Sequence, residues 1–344
     1  MKKAVLRWSS ILHVFVIALL FSCTTRAQEP VSSVEETFSN VTAIEVEGSF
    51  CTVEVLGTTG TDVHFKGEVL ASEKYEIKIR HNVNGNTLRV WLDRPNNIRG
   101  NVKDKLAFKV PKNTDVSVEN SSGSMRVEEI GQSNVKLVAS SGSIQARNIA
   151  SDLTVRASSG SLTIEGISGD LRAESSSGSQ RINAIKGNVK TKVSSGSLKV
   201  NEVGGNADLS STSGSQSIEK IDGNLWAQSS SGSLKISDVT GDVRGSSTSG
   251  SISLDRITGA IDLSSSSGSQ KGTSIKLTGP SSFKASSGSV TMDLVNETEE
   301  LSFNLSASSG SLNAKGSSGR KNLVIERGPI KVSGNTSSGS QTYR

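Results

Sequence analysis

Serine hydroxyls crowd this chain, returning in Ser-Gly-Ser clusters such as "LRAESSSGSQ" at residues 171 to 180. A serine acts as a nucleophile only beside a base that takes its proton, usually a histidine held in place by a third group. Beyond residue 27 the chain has just His64 and His81, both ahead of the repeated clusters, and no Gly-x-Ser-x-Gly elbow. The structural reading of the serines therefore outweighs the catalytic one. Two histidines and Cys51 show no zinc-ligand spacing, and a zinc site needs three or four such groups.

Acidic residues raise two further possibilities. Glycine followed by Asp or Asn recurs at Asp170, Asn188, Asn206, Asn224 and Asp242, as in calcium-binding β-rolls. One carboxylate per turn is too few for the six to eight oxygens that calcium takes, so these residues are expected to be turn residues in left-handed geometry. Glu165, Glu174, Glu219 and Asp255 could serve as the wall carboxylates of a polysaccharide lyase or hydrolase, but no aromatic groove accompanies them. An ice-binding face would need ranks of Thr where this chain has Ser. The expectation is a protein without catalytic residues, cofactor or metal.

What positions the serines is a repeat. The cluster glycines stand at 123, 142, 160, 178, 196, 214, 232, 250, 268, 288, 310 and 339, and every interval from Gly142 to Gly268 is 18. Between them Leu162 and Ile164, then Leu171 and Ala173, alternate with polar residues, the period of strands with one buried face. Three columns emerge when the units are stacked, running through Ile164 and Ile182, Ile167 and Ile185, and Leu171 and Val189. Like side chains at fixed spacing predict an all-β, parallel β-helix (β-solenoid) of 18-residue coils. Eleven or twelve coils would make a rod on the order of 55 Å long. A single coil buries too few aliphatic groups to fold alone, so coils must form together.

Four regions follow. Residues 1–27 read as a signal peptide: Lys2, Lys3 and Arg7 precede the apolar run Ile11 to Phe21, too short for a membrane span. "LFSC" makes Cys23 a candidate lipidation site, and "TRA" offers cleavage after Ala27 instead. Both imply export to the cell envelope, as an outer-membrane lipoprotein, a periplasmic protein or a surface protein. Residues 28–120 form a β-rich N-terminal capping segment, 121–289 the regular solenoid, and 290–344 irregular terminal coils. Of the 344 residues, those past Arg26 carry about +1 of the whole chain's +5. No basic cluster marks a nucleic-acid partner.

The corner is assigned to Ser159, Gly160, Ser161, Ser177, Gly178, Ser179, Ser195, Gly196 and Ser197. Ser175 and Ser177 continue the inward alternation of Leu171 and Ala173, and Ser177 and Ser179 are expected to form hydroxyl ladders between coils. Cys51, alone once Cys23 is removed or lipidated, reads as a small strand residue. Trp226 is the single aromatic between residues 124 and 282; it falls outward, either as a surface contact or as a cover for the Arg244 stem.

The segments "LAFKVPKNTDVSVENSSGSMRVEEI", "SSGSLTIEGISGDLRAESSSGS" and "RKNLVIERGPIKVSGNTSSGSQTYR" resemble the bacterial putative-adhesin domain family, over nearly the whole chain past the leader. The resemblance implies an extracytoplasmic β-helix with no catalytic motif. Its implied work is surface adhesion, binding or scaffolding, with a glycan or an envelope protein as partner.

Overall fold

The computed structural model describes residues 30–71, 75–95, 98 and 102–344. The expected signal peptide, with the candidate lipidation site Cys23 and the alternative cleavage after Ala27, lies outside the described residues. The rest is a parallel β-solenoid of two facing sheets. Strands such as Leu162–Ile167 build a 17-stranded back sheet, and strands such as Leu171–Ser177 build a 16-stranded front sheet. The register is exact along the repeat: Ile164 faces Ile182, Ile167 faces Ile185, and Leu171 faces Val189. All of these side chains are buried, so the alternation read from sequence is the core itself.

Fourteen coils stack in parallel, about 65 Å end to end. Two coils more than the Ser-Gly-Ser count come from the first segment. Ala43–Gly48 with Thr52–Thr58 forms one, and Thr87–Asp93 with Lys103–Pro111 forms the other. Spatial order departs from chain order at both ends. The coil at 43–58 lies between the coils at 87–111 and 115–128. The final coil, Ile330–Ser338 with Gln341–Tyr343, slides between the coil at 281–294 and the coil at 301–314. Tyr343, fully buried, packs between Phe283 and Phe303 at ring separations of 5.6 and 5.5 Å. Antiparallel strands finish the sheet edges: Pro30–Phe38 and Lys78–Asn84 at one end, Ser317–Gly319 and Asn322–Ile325 at the other. Such edges offer no straight template to another chain.

The corner differs from the sequence expectation in one respect. Ser175 is buried, but Ser177 is exposed, as are Ser159, Ser195 and Ser213. Alternation stops at the bend because the strand pairing skips Ser176, so Ser177 falls outward. The vacated inward place belongs to Gln180, whose Nε2 donates to Ser175 Oγ at 2.8 Å across the inside of the corner. The same pair recurs as Gln216 with Ser211, Gln270 with Ser265 and Gln341 with Thr336. On the far side of the glycine the Ser179 and Ser197 Oγ atoms lie 3.0 Å apart, as do those of Ser311 and Ser340, single rungs rather than a continuous ladder. Replacing Ser175 by Leu should therefore cost about 2 kcal/mol or more, through overpacking and an orphaned Gln180 amide. Ser177→Leu should stay within about 0.5 kcal/mol. Urea unfolding of the two variants checks this, and equal midpoints would contradict the assignment.

The half-turn also differs. Residues in left-handed geometry occur once per coil at Ala184, Glu202, Lys220, Asp238 and Arg256, with φ between 52° and 58°, and not at the Asp or Asn after glycine. Asp170 Oδ1 instead accepts the backbone N–H of Asn188 at 2.8 Å. Asn188 does the same for Asn206, Asn206 for Asn224, and Asn224 for Asp242, each at 2.9 Å. These oxygens are spent on the next coil's backbone, which satisfies donors that the turn leaves outside the strand ladder.

Candidate functional site

The outward column of the front sheet places Lys190, Asp208, Trp226, Arg244 and Asp262 on successive coils. One pleat farther along the strands stand Ser210, Gln228, Ser246 and Ser264 in the same order. On the other side runs the turn ladder of Asn188, Asn206, Asn224 and Asp242. Column and ladder together bound an axial groove of about 750 Å³, closed at one end by Pro280. Trp226 is 44% exposed on this wall.

Charges along the groove are paired internally. Lys190 Nζ lies 2.8 Å from Asp208, and Arg244 Nε lies 3.4 Å from Asp262. The Arg244 guanidinium also stands 6.0 Å from the Trp226 ring centroid, at the outer limit of a cation–π contact. Arg244 flanks the indole, as the covering reading expects, and leaves nearly half of it open.

The four wall carboxylates do not converge. Glu174 is on the front sheet, held by Arg156 at 3.4 Å and Arg172 at 3.0 Å, while Glu165, Glu219 and Asp255 are on the back sheet. Ser237 separates Glu219 from Asp255, a two-coil spacing of roughly 10 Å. Glu165 is paired with Arg147 at 3.4 Å. Glu165 and Glu219, three coils apart, line one shallow pocket on the back sheet. His64 bonds to Thr37 Oγ1 at 2.8 Å and His81 lies 3.3 Å from Glu36, both beside the first strand and away from the Ser-Gly-Ser corner.

Two buried polar features escaped the sequence reading. The Gln column is one, and its signal was present in the recurring "GSQ" with an inward Ser or Thr five residues earlier. The other is an ion pair in the first segment. Arg94 Nη2 donates to Asp104 Oδ2 at 2.7 Å, with side-chain exposures of 11% and 0%. Arg94 also donates to the Ser49 carbonyl and covers the exposed Phe50 ring. Burial outweighs Arg94 and pushes the Asp104 carboxyl up to about 6. Nearby Cys51 is buried at the head of strand Thr52–Thr58, and its thiol is pushed up to about 11 by burial. Such a thiol is a packing group rather than a nucleophile.

These features define a capped parallel β-solenoid with one aromatic-bearing groove on a polar wall. The chain belongs to the Toastrack DUF4097 family, whose sequence pattern it matches over residues 41–240 and again over 202–340. No curated protein sequence matches it. Among solved structures it is similar to a "putative cell adhesion protein" from Clostridium sporogenes, at 8% identity and a TM-score of 0.18, covering 90% of this chain and 98% of that one. A "putative adhesin" from Parabacteroides merdae is similar at 13% identity and a TM-score of 0.26, with coverages of 76% and 92%. A "putative lipid binding protein" from Parabacteroides distasonis shows 13% identity and a TM-score of 0.24, with coverages of 76% and 93%.

Proposed function

We propose that the chain is an exported, non-enzymatic rod of the cell envelope that works as a surface adhesion or scaffolding module. The observation that carries this reading is the wall groove at Trp226, where a large ring lies open on a surface otherwise built from short polar and self-paired charged groups. An exposed aromatic of this kind marks a contact surface when polar groups rim it. Export rests on the basic and apolar order of residues 1–27, with a lipid anchor at Cys23 as its finer form. No helix among the described residues is long and apolar enough to cross a membrane.

The test uses the purified full chain, immobilised and exposed to a glycan panel and to envelope fragments. Retention of a surface polymer above a heat-unfolded control is expected. Failure to retain any would count against adhesion and leave the scaffold role. Incubation with a polysaccharide panel should release no reducing or unsaturated ends. Release that disappears in Glu174→Gln or Glu219→Gln would replace the reading with a carbohydrate-cleaving one.

A further inference from the structure

We infer that the Trp226 groove takes a neutral carbohydrate chain laid along the rod axis. The inference rests on the reading of this chain as a surface-binding module and names the ligand class of that site.

Register supplies the first argument. Hydrogen-bonding groups flank the indole on both sides and repeat at the strand separation, about 4.8 Å. Gln228 and Ser246 stand one pleat away, and on the turn side Asn206 and Asn224 present their Nδ2 amides, their Oδ1 atoms being taken by the next coil's backbone. A chain of β1,4-linked pyranoses advances by nearly one coil per sugar with alternate sugars turned over, so like hydroxyls meet the wall on every second coil. The apolar C–H face of one sugar would cover the open part of the ring. That contact recovers apolar area that water now wets.

Charge supplies the second. Lys190 with Asp208 and Arg244 with Asp262 cancel within the wall, and Asp242 remains as a single negative charge whose Oδ1 already accepts the Ala260 N–H at 2.9 Å. A polyanion such as nucleic acid or an acidic polysaccharide finds no cationic track here. A peptide strand would need an unpaired sheet edge, and each strand bordering the groove is paired on both sides. A neutral polyol, which brings hydroxyls and a C–H face but no charge, fits both constraints.

The test titrates the full chain with neutral hexasaccharides (β1,4-glucan, β1,4-linked N-acetylglucosamine and mannan) and with an acidic galacturonate hexamer, by calorimetry and tryptophan fluorescence. At least one neutral chain should bind, its disaccharide more weakly, and the acidic one should not. Trp226→Ala should weaken binding at least about tenfold with an unchanged melting temperature, and Trp226→Phe should restore part of it. Binding indifferent to Trp226→Ala, or preference for the acidic hexamer, overturns the inference and leaves adhesion standing. The same holds if no hexasaccharide binds while envelope fragments are retained. If nothing is retained in either experiment, the carbohydrate inference and the adhesion reading both fall, and the scaffold role alone is left.

Discussion

Gly178→Ala should destabilise the rod by about 3 kcal/mol or more, a large effect for one methyl group. At Gly178 a Cβ would stand 1.9 Å from the carbonyl oxygen of Gly160 in the preceding coil, and the backbone there is at φ +108°. Gly160 and Gly196 face the same obstruction from Gly142 and Gly178, at 1.7 and 2.0 Å. Neither partner can give way, because each obstructing atom is main chain of the adjacent coil rather than the end of a flexible side chain. Gly85 provides the internal control: its φ is +61°, but no atom lies within 4 Å of the added carbon. Gly85→Ala should therefore cost only about 1 kcal/mol, the conformational part alone. Denaturant unfolding with a common slope measures both. Similar losses at the two sites would show that contact with the coil below contributes nothing.

Arg94→Ala is expected to cost about 3 to 5 kcal/mol at pH 7, since it strands the fully buried Asp104 carboxylate. The cost should depend on pH in a defined direction. Asp104 titrates at about 6 in the folded chain, above its ordinary value of 3.8, so the folded state holds this proton more tightly than the unfolded one. Its contribution to stability is full below the unfolded value and is lost as pH rises through about 6. Between pH 5 and 7 that amounts to about 1 kcal/mol in the native chain. Without Arg94 the carboxyl climbs further, so the variant's penalty should be smaller at pH 5 than at pH 7. Adding Asp104→Leu to Arg94→Ala should recover stability at pH 7. A penalty equal at both pH values, or a double variant no better than the single, would rule out the buried charge as the cause.

Sequence and structure agree most closely where one physical demand acts on every coil. Ile164, Ile167 and Leu171 had to be apolar because they face a narrow interior, and stacking forces each neighbour to match. The corner was less legible. Period two projects Ser177 inward, but the bend at Gly178 consumes residues without alternating them, and only Ser175 of the pair is buried. Asp170 and Asn188 were misread for a related reason. A side-chain oxygen can serve its own turn or the next coil's N–H, and a single coil's sequence does not distinguish them. The three columns read from sequence contain no polar residue, but a fourth holds Gln180, Gln216, Gln270 and Gln341, each tolerated because Ser or Thr answers it inside the corner. Trp226 and Arg244 were legible as neighbours because an exact interval of 18 puts them on adjacent coils. The ends were not, because spacing gives the length of a coil but not which coil it lies against.

That crossing of chain order at the ends sets an order of assembly. The coil at 301–314 cannot take its place until residues 330–343 exist to lie beneath it. At the other end, residues 43–58 find their two neighbours only after residues 87–128 have been made. Growth must therefore begin in the regular middle, where each coil needs only the one before it, and both tips close late over long loops. A chain still being synthesised or threaded through a membrane stays unfinished at both tips. Completion waits for residues 330–343, whose insertion between two earlier coils seals that tip of the rod.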